Sequence, residues 1–208
     1  GKYKEVDVPA LFITGWYDNL LHEGFKCFKG WTTQAHSFET RKLSKLLVGP
    51  WTHTQIGSAE IFGDIDFGPA AEVDIPDVHL RWYDQRLKGI DSGIDQDPPI
   101  RIFVMGANTW RFEQEWPLAR TQYRKVYLHS QGEANSLQGD GWLDFNPPKD
   151  EDPDLFQYHP EQPVPSLGGQ SMLPQNTGPR DRSSLECRKD ILVYSTKPLE
   201  KKLEVTGP

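Results

Sequence analysis

Two short apolar runs constrain this chain most: Pro9-Ala10-Leu11-Phe12-Ile13-Thr14-Gly15 and Lys45-Leu46-Leu47-Val48-Gly49-Pro50. Runs this short, nearly continuous and closed by glycine read as buried parallel strands. Between them Leu21, Phe25, Phe28, Trp31 and Ala35 recur at the spacing of one helical face. After the second run Ala71, Ile75, Val78 and Trp82 repeat in the same way. That pattern closes at Lys88-Gly89, a basic last turn followed by a glycine suited to a left-handed cap. Pro76 fits only the first turn of this helix or a bend in it. Strand, helix, strand, helix is the grammar of a parallel α/β sheet.

Beyond Gly93 the pattern changes. Asp95-Gln96-Asp97-Pro98-Pro99 reads as a linker, and Ile100, Ile102 and Val104 then alternate, as do Val126 with Leu128 and Ile191 with Val193. The turn clusters Gly106-Ala107-Asn108, Gly139-Asp140-Gly141 and Gly168-Gly169 separate these runs. With 18 Gly, 17 Pro and seven Trp, the composition suits short strands closing on large rings rather than a helical bundle. The expected organisation is therefore an α/β segment over residues 1–94 and a β-sandwich over 95–208. The irregular stretch from about 138 to 182 is too long for a hairpin loop, so it is expected to cross between sheets or to reach a site. The sandwich reads as incomplete, because a strand has barely begun at Leu203-Glu204-Val205.

Charge narrows the partners. Lys+Arg 23 against Asp+Glu 30 gives −7, which disfavours nucleic acid. Residues 138–161 carry Asp140, Asp144, Asp150, Glu151, Asp152, Asp154 and Glu161 against Lys149 alone, and are expected to form a solvated acidic loop. No apolar run approaches the ~18 residues of a membrane span, so no membrane partner is expected. Cys27 and Cys187 match no metal or redox spacing. They read as free thiols, and with no Asn-x-Ser/Thr sequon the expectation leans to the cytoplasm. Asp66-Phe67-Gly68 spells a kinase tripeptide but lacks every companion motif, and reads as coincidence.

Two polar residues sit where parallel-sheet enzymes keep their chemistry, just past the carboxyl ends of strands. Asp18 follows the first run in Gly15-Trp16-Tyr17-Asp18, and His53 follows the second in Gly49-Pro50-Trp51-Thr52-His53. An imidazole can take and return a proton, and a buried carboxylate fixes its tautomer and stabilises its charged form. The plainer alternative is an Asp capping the following helix and a His satisfied within its loop.

The wording of these motifs resembles the cocaine-esterase and X-prolyl dipeptidyl-peptidase group of α/β-hydrolases (the CocE/NonD hydrolases). Asp66-Phe67-Gly68-Pro69-Ala70-Ala71 leading to His79-Leu80-Arg81-Trp82-Tyr83-Asp84 is similar to the last helix of that hydrolase domain. Ile102-Phe103-Val104-Met105-Gly106 with Trp110-Arg111 and Trp116-Pro117 resembles the entry to its carboxyl-terminal jelly roll. Pro163 to Gly169 and Leu192 to Thr196 match later segments, so the resemblance runs along nearly the whole chain.

The resemblance implies a serine hydrolase acting on a small ester or peptide, with Asp18 as triad acid, His53 as triad base and no cofactor. It also implies that Leu20, Met172 and Leu173 line the substrate pocket. The family's nucleophile lies in a Gly-x-Ser-x-Gly elbow upstream of the acid, and this chain has no such pattern. Ser130, Ser171 and Ser195 each lack the two flanking glycines and follow His53. The expectation is a carboxyl-terminal piece of a longer hydrolase, inactive alone, whose partner is the upstream hydrolase segment. A bare strand edge would also favour a homo-oligomer. The rival reading is a non-catalytic β-sandwich module binding carbohydrate or protein, carrying a remnant hydrolase segment.

Overall fold

The first run forms β1 (Leu11–Tyr17) and the second β2 (Lys45–Thr52), paired in parallel from Leu11 opposite Lys45 to Gly15 opposite Gly49. The computed structural model describes residues 2–59 and 61–206. Every residue of β2 is buried, and its side chains divide between two cores. Leu46 and Val48 join Phe28, Ile100 and Ile102 on one face of the sheet. Leu47 and Trp51 join Phe62, Phe67, Ala71 and Phe103 on the other. Burial of each aliphatic side chain contributes about 1.5–3 kcal/mol, so β2 is the element on which both cores close.

The crossover from β1 to β2 is α1 (Leu21–Gln34), then α2 (Phe38–Leu43). Leu21, Phe25 and Phe28 pack from α1 onto the first face, as their spacing predicts. The short α2 carries no such stripe. It is set instead by Ser37, whose side chain accepts the Thr40 amide, and it escaped the periodicity reading for that reason. Beyond β2 lies α3 (Ile75–Tyr83), capped by Asp74 with Pro76 in its first turn. It continues as a π-turn over Asp84–Lys88 and ends at Gly89, with φ of 67°. Ala71 belongs to a preceding 3₁₀ turn, Pro69–Ala71, so the helix starts later than its apolar repeat. Asp66-Phe67-Gly68 is structural: Phe67 is core, and the Asp66 carboxylate accepts the Gly68 amide.

The boundary expected at residues 94 and 95 differs from the compact units. β3 (Ile100–Val104) lies parallel to β2, and β4 (Thr109–Glu113) pairs antiparallel with β3, giving a four-stranded mixed sheet in the order β1-β2-β3-β4. The alternation of Ile100 and Ile102 therefore completes the first core instead of opening a sandwich. One unit comprises Gly1–Ala119 with Gly168–Arg180, and the other Arg120–Leu167 with Asp181–Pro208. No described helix is long and apolar enough to cross a membrane.

In the second unit, β5 (Tyr127–His129) and β6 (Trp142–Asp144) form a two-stranded antiparallel sheet. Isolated bridges join Asn135 to Leu192 and Trp142 to Ser195. The alternation at Ile191 and Val193 thus yields a bridge, not a strand. The acidic stretch is not simply a solvated loop, because some of its carboxylates are structural. Asp154 accepts the Ser130 hydroxyl at 2.7 Å, the Ala134 amide at 2.8 Å and the Tyr194 hydroxyl. Burial opposes its charge, but these donors outweigh that and hold the carboxyl below its ordinary range. Burial and Asp154 together push the Tyr194 phenol up to about 12.

Glu151 accepts from His129 Nδ1 at 2.6 Å, and the Asn146 carbonyl lies 2.9 Å from Nε2. Both partners only accept, so the ring satisfies both as an imidazolium. Trp142 stacks on it with centroids 5.1 Å apart. The Glu151 hydrogen bond raises the His129 pKa; burial opposes it, while the Asn146 carbonyl and the Asp144 charge add to it. A raised folded pKa gives stability that is complete below the unfolded value, about 6.5, and lost as pH rises through the folded one. The denaturant midpoint should therefore exceed that of His129→Gln most below pH ~6.5, with the gap shrinking as pH climbs. A gap independent of pH would contradict this account of His129.

Candidate active site

Asp18 and His53 leave the carboxyl ends of neighbouring parallel strands, and two glycines let those ends approach. A Cβ on Gly15 would lie 2.1 Å from the Trp51 carbonyl oxygen. One on Gly49 would meet the Trp51 ring at 2.3 Å. The register slips there, from Gly15 opposite Gly49 to Tyr17 opposite Thr52, so β2 carries one extra residue. Trp51 is wholly buried and donates its indole N–H to the Ala71 carbonyl at 3.0 Å, which fixes the bulge from the other side. The chain then turns tightly at both strand ends. The Asp18 amide reaches the Gly15 carbonyl at 2.9 Å, and the Gln55 amide reaches the Thr52 carbonyl at 3.4 Å.

These turns bring the two side chains together. Asp18 Oδ1 lies 2.9 Å from His53 Nδ1. Asp18 is 2% exposed, and the imidazole keeps about a third of its surface, with side-chain exposure of 32%. The same Oδ1 accepts the Leu20 amide at 2.8 Å, and Oδ2 accepts the Thr14 hydroxyl at 3.1 Å. The plainer reading of Asp18 is thus met locally but incompletely: the carboxylate orders the turn into α1, yet the N-cap residue is Leu20, and the imidazole is a further partner. A carboxylate facing Nδ1 selects the tautomer protonated there, leaving Nε2 with its lone pair. Such a ring can accept a proton at Nε2, and the buried carboxylate stabilises the resulting charge. Burial raises the phenol pKa of the neighbouring Tyr17, which stays neutral.

Of the other expected site residues, Leu20 follows Asp18 by two positions. Leu20 is half-exposed at the start of α1. Met172 and Leu173 are half-exposed on the strap Gly168–Arg180, which returns to the first unit. A Gly169–Gly178 bridge closes that strap, and Arg180 ties it to Asp64 at 2.9 Å. Gln170 donates to the Trp16 carbonyl at 3.4 Å, two residues before Asp18. Among the serines, Ser130 is committed to Asp154, and Ser171 accepts the Leu173 amide. Thr14 is the residue that sequence reasoning missed. Its signal was a hydroxyl within an otherwise apolar strand. Among the described residues, no group of three His, Cys, Asp or Glu side chains is placed to hold a metal.

Comparison with known proteins gives this geometry a family. Residues 92–208 match the X-Pro dipeptidyl-peptidase C-terminal non-catalytic domain, and residues 1–55 match the X-Pro dipeptidyl-peptidase S15 family. The cocaine esterase of Rhodococcus sp. strain MB1 Bresler is 36% identical over 203 residues, covering 96% of this chain and 34% of the esterase. A Mycobacterium bovis protein with a provisional serine-esterase name is 27% identical over 209 residues, 93% of this chain and 28% of its own length. The crystal structure of an aminopeptidase from a marine-sediment Thaumarchaeota archaeon has a TM-score of 0.57 at 20% identity, covering 94% of this chain and 31% of that one. The chain belongs to the CocE/NonD family of serine hydrolases, the group of cocaine esterase and the X-Pro dipeptidyl-peptidases. It spans about a third of the length of the curated relatives it matches.

The close approach at Gly15 generates a test of how the site is built. A methyl group 2.1 Å from a backbone oxygen cannot be absorbed by a side-chain rotation. Gly15→Ala should cost about 1–3 kcal/mol or more, read from the urea midpoint. An unchanged midpoint would contradict the role given to this contact.

Proposed function

We propose that this chain supplies the acid and base of a Ser-His-Asp acyl-transfer site in a longer hydrolase. The carrying observation is the Asp18–His53 hydrogen bond through Nδ1 at the ends of adjacent parallel strands. His53 Nε2 takes the hydroxyl proton of a serine from outside these 208 residues as its oxygen attacks an ester or amide carbonyl. Asp18 holds the ring and stabilises the imidazolium. The proton then passes to the leaving alcohol or amine, and water releases the acid by the same steps in reverse. Substrates on this reading are acyl esters, α-amino acid esters or X-Pro peptides. Leu20, Met172 and Leu173 offer apolar side chains to the pocket. Residues 92–208 do no chemistry on this reading, in keeping with their match to a non-catalytic domain.

The test uses the protein extended upstream to the length of its relatives, a chromogenic acetate ester and a fluorophosphonate probe. His53→Ala and Asp18→Asn should each lower kcat by ~10²–10⁴ with little change in KM. The 208-residue chain alone should neither turn over nor label. Turnover that survives His53→Ala, or labelling of a serine within residues 1–208, would overturn the proposal.

A further inference from the structure

The Asp18 carboxylate has two oxygens, and His53 engages only Oδ1. Oδ2 accepts the Thr14 hydroxyl, four residues earlier on β1. Thr14 is 3% exposed, in a strand whose other side chains are apolar or aromatic. A buried hydroxyl must find an acceptor, and here it finds a buried charge. Its rotamer is held as well. A β-branched side chain is stiff at χ1, and the Thr14 methyl lies against α1, 3.4 Å from where a Cβ on Gly24 would stand. The carboxylate's own torsion is soft and roughly two-fold, so a single donor would leave its plane free to rock. Two donors, the Leu20 amide on Oδ1 and the Thr14 hydroxyl on Oδ2, fix that plane.

We propose that Thr14 is a positioning residue for the Asp18–His53 pair, its hydroxyl holding the carboxylate in the rotation that presents Oδ1 to the imidazole. The catalytic consequence rests on the acyl-transfer reading above; the positioning itself does not. Without the hydroxyl, the buried Oδ2 loses a charge-assisted hydrogen bond. The carboxylate then swings to recover a donor, and its bond to Nδ1 becomes intermittent. Thr14→Val keeps the shape and removes the hydroxyl. Thr14→Ser keeps the hydroxyl and removes the methyl group.

Two readouts separate the positioning claim from the catalytic one. In the ¹⁵N-labelled 208-residue chain, the solvent exchange of the His53 Nδ1 proton is followed by NMR. Thr14→Val should speed that exchange about tenfold, the scale of one hydrogen bond to a charged group, and Thr14→Ser should restore it. In the longer protein, Thr14→Val should lower kcat about tenfold at unchanged KM, with Ser again restoring it. Wild-type exchange in Thr14→Val would overturn the proposal. So would equal losses in Val and Ser, which would show that the methyl group's packing is what matters. If exchange responds as expected while turnover ignores both Thr14 and His53, positioning stands and the acyl-transfer reading fails.

Discussion

The structure depends on the parallel pairing of β1 with β2 and on the backbone contact where Gly15 passes the Trp51 carbonyl. β2 is buried along its whole length and closes both cores, so its position is set by far more than the site it carries. Gly15 and Gly49 admit Trp51 where any side chain would exclude it. The resulting bulge makes a strand with one extra residue finish beside Asp18. The side-chain geometry of Asp18 and His53 is therefore inherited from backbone packing. Conformational freedom at the site was surrendered when the cores formed, and the pair meets without further ordering.

The cores also explain which parts of the fold were legible. Leu21, Phe25 and Phe28 predicted α1 because a helix buried on one face must repeat at helical spacing. Pro76 and Gly89 marked the ends of the third helix through rigid local rules. Asp18 and His53 were singled out because strand ends are recognisable and the motif wording is specific. The strand at Ile100–Val104 was recognised as a strand, but its pairing with β2 was not. Alternation fixes a strand's faces and is silent about its neighbours, and the partner here is β2, more than fifty residues earlier.

Three further features were legible only in part, because their causes are non-local. The strap Gly168–Arg180 returns to the first unit through Gly63 and Arg180; a Cβ on Gly63 would lie 2.0 Å from the Pro179 oxygen. No local pattern announces such a contact. The acidic stretch read as solvated because its charges outnumber its cations, yet Glu151 and Asp154 find His129, Ser130 and Tyr194 well away in sequence. Thr14 had a visible anomaly, a hydroxyl inside an apolar strand, but its meaning required the direction of the Asp18 carboxylate. Polar residues in the core are where sequence pattern says least, since each is explained by one partner rather than by a period.

The central claim is that a buried carboxylate holds His53 through Nδ1 and leaves Nε2 to accept a proton. The tautomer of His53 reads this directly. Long-range ¹H–¹⁵N correlation of the ring, recorded in its neutral state, should show the proton on Nδ1. Asp18→Asn should release the ring from that preference. A neutral His53 carrying its proton on Nε2, or a tautomer balance indifferent to Asp18→Asn, would contradict the account.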